Sequence, residues 1–225
     1  MLKFLLTRSI KKSPIFIGLF LLYFTAAPLL ANDKNAALTS FSQFDTDPVY
    51  GTDDANFVFI EYADYHCQYC QQFHHTLTKW FSPAYQRTLN SDQSVKWVYR
   101  HFPIFGEKSI IKAKTAICVL EQFGQDSFWQ FNDVLFTQPI SPSKQLNYQQ
   151  SVWLIATKQG WDVKKLIQCD AAQTYQAKLE SLANQAKFLN LAATPSWYFL
   201  NIKTGKVLTG SGTLTLSQLD ALLTQ

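Results

Sequence analysis

Two cysteines three positions apart, in Cys67-Gln68-Tyr69-Cys70, are the residues of this chain best placed to do chemistry. A thiolate is the nucleophile of disulfide exchange and also a soft ligand for zinc. The spacing alone admits a redox dithiol, half of a zinc site or a structural disulfide. Haem attachment is excluded, because that motif needs His directly after the second cysteine and Gln71 stands there. The surroundings favour the redox reading. Phe57-Val58-Phe59-Ile60 is an apolar run without polar alternation, which predicts a strand buried on both faces. A turn follows, and Gln71, Gln72, Phe73, Leu77 and Trp80 continue a helix that starts near Cys67. A cysteine at a helix N-terminus meets unpaired backbone N–H groups and the positive end of the helix dipole, and both favour thiolate over thiol. Cys70, one turn on along the same face, can close a small ring with Cys67.

Glu61 lies inside the strand, six residues before Cys67. It is either an edge carboxylate in water or a buried acid beneath the cysteines that exchanges a proton with Cys70, since a buried carboxyl must be paired or protonated. A zinc site would draw on Cys67, Cys70 and His74 or His75, but no fourth ligand is evident, and His74 and His75 read as helix-surface residues. No metal and no organic cofactor is expected.

The remaining chain supports one domain with a good core. Residues 1–31 carry Lys3, Arg8, Lys11 and Lys12, no acid, an apolar run from Ile15 to Leu30 and a small residue at Ala31. This reads as a secretory signal peptide; an uncleaved N-terminal anchor is the alternative, and in both cases the domain lies outside the cytoplasm. Without those four residues the 20 Lys+Arg become 16, equal to the 16 Asp+Glu, so the net charge falls from +4 to zero. No basic surface is left to argue for nucleic acid. In an exported protein disulfides persist, and of the three pairings open to four cysteines the preferred one is Cys67 with Cys70 and Cys118 with Cys169.

The mature domain is expected over residues 32–225. Asn32 to Asp54 is polar and aperiodic, an extended lead-in too short for a dimerisation domain. The strand at Phe57–Ala63 and the helix from Cys67, broken near Ser82-Pro83, lead to a second strand at Val95–Tyr99. Glu107 to Phe123 forms an amphipathic helix with Ile110, Ala113, Ile117 and Leu120 inward and Gly124 as its stop, and Phe128 to Phe136 forms a short aromatic helix. Gln138 to Lys144 is a loop. Helices follow at about Tyr148–Lys158 and Asp162–Gln168, then a longer one capped by Asp170 and Gln173, with Tyr175, Leu179, Leu182, Ala186 and Leu189 along its face. A β-hairpin spans Ser196 to Leu208, and Thr215 and Gln218 cap a last helix. The order β–α–β, helices, β–β–α predicts an α/β protein with a thioredoxin-like fold and an inserted helical subdomain at about 107–190.

FIEYADYHCQYC, the segment RHFPIFGEKS, the helical insertion and Ala193-Thr194-Pro195 occur together in that order. On these features the chain, from roughly Pro48 onward, resembles exported DsbA-like thiol–disulfide oxidoreductases of the thioredoxin superfamily. The resemblance implies roles. Cys67 matches the exposed nucleophile and Cys70 its buried partner. Glu61 matches the buried acid. Pro195 matches a cis-proline that turns the Thr194 backbone toward an extended substrate peptide. Gln68, Tyr69 and His66 would border the substrate. Cys118 and Cys169 would form a second disulfide tying two insertion helices together. Two features depart from the strongly oxidising members. Gln68-Tyr69 replaces Pro-His, which leaves His66 as the candidate source of charge, and Thr194 is more like the isomerases. The expectation is a monomeric periplasmic enzyme that introduces disulfides into reduced or unfolded exported proteins and is reoxidised by a membrane partner. An isomerase or reductase using the same site, or a non-enzymatic chaperone module, are the alternatives.

Overall fold

Seven consecutive buried residues make the central strand. In the computed structural model, which describes residues 46–138, 140 and 145–225, Phe57–Ala63 (β2) has no exposed position. It is flanked by Val95–His101 (β3), parallel to it, and by Ser196–Asn201 (β4), antiparallel. Val49–Tyr50 (β1) adds antiparallel to the outer edge of β3, and Val207–Ser211 (β5) pairs with β4, giving the order β1-β3-β2-β4-β5. A strand with neighbours on both sides and layers on both faces has no wet surface, hence the unbroken apolar run. The described residues fall in the unit Ser40–Gln225, and the leader at 1–31 lies outside them.

Period two sends alternate residues of β2 to opposite faces. Phe57 and Phe59 meet Trp97, Trp197 and Phe199 beneath the helix Gln68–Trp80 (α1), which contributes Phe73, Leu77 and Trp80, and the last helix Leu216–Leu222 (α7), which contributes Leu219. Asp220 of α7 accepts hydrogen bonds from Trp80 Nε1 (2.9 Å) and Tyr85 Oη (2.7 Å), the second from the short helix Pro83–Gln86 (α2). On the other face Tyr62 and Arg100 meet Gln185 of the helix Tyr175–Phe188 (α6).

Between β3 and β4 the chain inserts helices: Glu107–Thr137 (α3), Tyr148–Lys158 (α4), Val163–Ala172 (α5) and α6. They build a second core at the cysteine end of the sheet, in which Cys67, Cys70, Tyr65 and Tyr99 pack with Phe128, Phe131, Leu135, Phe136 and Val152. The expected stop at Gly124 is a kink: its φ of 82° admits glycine readily, and the helix continues beyond it to Thr137. Cys118 of α3 and Cys169 of α5 are joined by a disulfide. Most of the loop expected at 138–144 lies outside the described residues.

Four expectations are corrected. Residues 49–50 are extended as expected but are more than a lead-in, because edge pairing gives Val49 and Tyr50 a ladder that no periodicity signals. Ile110 points outward, 43% exposed, and Lys112 is buried instead. Asp170 caps no helix: it lies inside α5, paired to Lys114 at 2.6 Å, while Gln173 turns the chain with a left-handed φ of 52° before α6. His74 is not a surface residue: it lies between α1 and α3, stacked on Phe136 and bonded to Asp133 at 3.0 Å.

Candidate redox site

The site begins where β2 ends. Asp64, 1% exposed, ties three backbone N–H groups together. Its Oδ1 accepts from His66 N at 2.7 Å, and its Oδ2 from Ile104 N at 2.7 Å and Phe105 N at 3.0 Å. The loop before Cys67 and the loop after β3 are thereby locked to one carboxylate. Cys67 N donates to the Asp64 carbonyl at 3.1 Å. Cys67 is then the extended N-cap residue of α1, and its sulfur accepts from Cys70 N at 3.4 Å, as a serine hydroxyl would in a cap. The first turn of α1 thus carries both thiols, which are free in this structure.

Thr194 covers Cys67 from the opposite side. The Thr194–Pro195 peptide bond is cis, and the Cys67 thiol donates to the Thr194 carbonyl at 3.1 Å. Because of this cover Cys67 is only 3% exposed, so the exposed nucleophile of the sequence reading is a thiol with a narrow opening. Gln68 and Tyr69 are exposed beside it, Tyr69 by 64%, and Ile104 and Phe105 are exposed apolar residues of the loop tied to Asp64.

Cys70 is fully buried. Burial pushes its thiol well above the ordinary range, and the nearby Glu61 carboxyl adds to the effect. Glu61 is itself wholly buried. Its Oε2 accepts from Trp97 Nε1 at 3.1 Å, and Oε1 has no hydrogen-bond partner among the described residues. Desolvation raises Glu61 from 4.5 to about 8 against the pull of the indole N–H, so near neutral pH the carboxyl holds a proton in most molecules.

His66 does not supply the charge that the Gln68-Tyr69 dipeptide lacks. Burial, and next the positive charge of Lys112, lower its pKa, so it is neutral near pH 7, with Nε2 bonded to Tyr148 Oη at 2.8 Å. The cations on this side are Lys108, whose Nζ lies 5.4 Å from the Tyr148 ring centroid, and the buried Lys112. Among the described residues no group of three or more His, Cys, Asp or Glu is arranged to hold a metal, and His74 is turned toward Asp133.

Asp64, Trp97, Lys112 and Tyr148 were not legible as site residues. Trp97 and Tyr148 read as core aromatics, and a lysine in an amphipathic helix reads as solvent-facing. Asp64 alone carried a signal, as a short acid directly after a buried strand and before a turn.

Comparison with known proteins agrees with this geometry. The family model described as Thioredoxin matches residues 43–215. Na(+)/H(+) antiporter NhaA 3 of Salinispora tropica is 30% identical over 110 residues, which are 47% of this chain. The chain spans about 15% of that antiporter's length. Disulfide bond formation protein D of Bacillus subtilis is 24% identical over 172 residues, covering 73% of this chain and 72% of that protein. Among solved structures, oxidised BdbD from Bacillus subtilis superposes with a TM-score of 0.64 at 22% identity over 80% of this chain and 92% of that one. A thioredoxin-like oxidoreductase from Silicibacter pomeroyi gives 0.62 at 24% identity over 80% and 91%. With more than half of its length matched, and with the cysteine pair at the N-terminus of α1 facing a cis-proline, the chain belongs to the thioredoxin family.

Proposed function

We propose that this protein is a thiol–disulfide oxidoreductase that donates disulfides to exported proteins through Cys67 and Cys70. The observation that carries the reading is the placement of Cys67: its sulfur caps α1, accepts from Cys70 N and rests against the Thr194 carbonyl, while the buried Glu61 acts on Cys70. A substrate thiolate attacks the Cys67 sulfur of the oxidised pair. The Cys67–Cys70 bond breaks, a bond from substrate sulfur to Cys67 forms, and Cys70 leaves with the electron pair. Glu61, protonated at rest, gives its proton to the Cys70 thiolate, whose high pKa favours the transfer. A second substrate thiolate then attacks the substrate sulfur. Cys67 leaves as thiolate, and the substrate departs with the new disulfide. The N–H of Cys70 and the dipole of α1 favour that leaving group.

Thr194 and Pro195 would align an extended segment of substrate, and Gln68, Tyr69 and His66 would border it. The protein would act as a monomer outside the cytoplasm, exported by the segment 1–31, and a membrane redox partner would restore the disulfide. No helix among the described residues is long and apolar enough to cross a membrane. Bacillus subtilis disulfide bond formation protein D, by its name, forms disulfides, which supports this direction of transfer.

The test is oxidation of a two-cysteine peptide by the oxidised protein. The wild type is expected to convert one equivalent of peptide, Cys67→Ser none, and Cys70→Ser, mixed with a peptide disulfide, to accumulate a mixed disulfide on Cys67 detectable by mass. Binding of the peptide with no change in its redox state would recast the protein as a chaperone module.

A further inference from the structure

Lys112 stands in the wall of the redox site with no carboxylate bonded to it among the described residues. The residue is 3% exposed, and its ammonium donates to two backbone carbonyls, Leu135 O at 2.9 Å and Tyr65 O at 3.3 Å. Both acceptors have reason to take a foreign donor. Leu135 lies in the last turn of α3, where carbonyls have no intrahelical partner. Tyr65 lies in the short loop between β2 and α1, two residues before Cys67. Its carbonyl is also approached from α1, by Gln71 Nε2 at 3.3 Å. The Tyr65 side chain is fixed as well, its hydroxyl donating to Asn132 Oδ1 at 2.8 Å and its ring against Tyr99 and Phe136. Burying an ammonium among neutral acceptors carries a large desolvation cost, which an apolar residue in the same place would avoid.

We propose that Lys112 is a positioning residue of the redox site, fastening the Tyr65 carbonyl to the end of α3 and so fixing the segment that presents Cys67. The proposal rests on reading Cys67 and Cys70 as the exchange pair. Two titratable groups interact with this ammonium, Asp64 and His66, both on the segment it grips. Burial brings the lysine down to about 8, with Asp64 acting against the fall. Its positive charge in turn is one of the causes that lower His66, so its removal has a signature apart from packing.

The experiment compares full-length wild type with Lys112→Met and Lys112→Gln. Two readouts are followed: the rate of disulfide transfer from Cys67–Cys70 to a two-cysteine peptide, and the His66 titration midpoint by NMR. Lys112→Met removes donor and charge; transfer is expected to fall roughly tenfold and the His66 midpoint to rise. Lys112→Gln keeps an N–H donor without the charge, so the midpoint should rise while transfer stays within about threefold of wild type. A Lys112→Met protein with wild-type circular dichroism and a wild-type transfer rate overturns the proposal. Where Lys112→Met does not fold, Lys112→Gln decides, and an unmoved His66 midpoint overturns it. A wild type that transfers no disulfide refutes the exchange reading itself, an outcome distinct from an active wild type matched by its Met variant.

Discussion

Replacing Glu61 by Gln should stabilise the protein at alkaline pH and remove a large part of its pH dependence. Glu61 is wholly buried, and its carboxyl titrates in the folded state at about 8 against 4.5 when solvated. The folded state therefore holds this proton more tightly than the unfolded chain does. For an acid raised in this way, stability is fully present below the unfolded pKa and is lost as pH rises toward the folded one. The span from 4.5 to about 8 corresponds to roughly 5 kcal/mol. That is a third or more of the 5–15 kcal/mol that typically holds a domain together. The glutamine side chain would keep the shape and an acceptor for Trp97 Nε1 without titrating. Urea unfolding of both proteins, with the cysteine pair kept reduced, should be measured between pH 5 and 9. Other titrating groups are shared, so the wild-type deficit relative to the variant isolates Glu61. It should grow by several kcal/mol up to about pH 8 and then level off. A difference that stays constant with pH would refute the buried, protonated acid and the proton step assigned to it. The variant should also transfer disulfides more slowly, since no acid remains to protonate Cys70.

Other parts of the fold give sharper tests of packing. Asp47 and Arg100 are both buried and joined at 2.8 Å, and Lys178 also bonds Asp47. Asp47→Ala removes the carboxylate from Arg100 and should cost about 3–5 kcal/mol by urea unfolding. Changing Cys118 and Cys169 together to Ser opens a loop with a sequence separation of 51, which should lower the melting temperature through a loss of roughly 4 kcal/mol and leave peptide oxidation intact. A Cβ on Gly210 would lie 2.4 Å from Trp197 Cζ2, so Gly210→Ala should destabilise the β4–β5 hairpin by about 1–3 kcal/mol, read as a lower urea midpoint.

Period and punctuation made the scaffold legible. The unbroken run at β2, the cysteine at a helix start and the Thr215–Gln218 cap all encode their structure locally, and each stands where its local signal puts it. The errors fall where a distant partner overrides local preference. His74 and Lys112 are polar residues on helices, and periodicity assigns such residues to water; Asp133 in one case and two backbone carbonyls in the other hold them inside. Asp170 had the spacing of a cap, but Lys114 on another helix claims it. The site was legible in its covalent chemistry, Cys67 and Cys70, and not in its environment. The neutrality of His66, the Trp97 contact to Glu61 and the clamp on Tyr65 all arise from residues brought together by the fold.

The reduction potential of the Cys67–Cys70 pair tests the central claim most directly. The protein would be equilibrated in glutathione buffers of graded ratio, with Cys118–Cys169 intact, and the pair quantified by acid trapping and mass. A disulfide donor is predicted to have a potential well above the glutathione pool, toward the roughly −120 mV of strong oxidants. A value at or below the roughly −270 mV of thioredoxin would contradict that direction and make the protein a reductase, and a pair that does not interconvert at all would contradict the redox reading altogether.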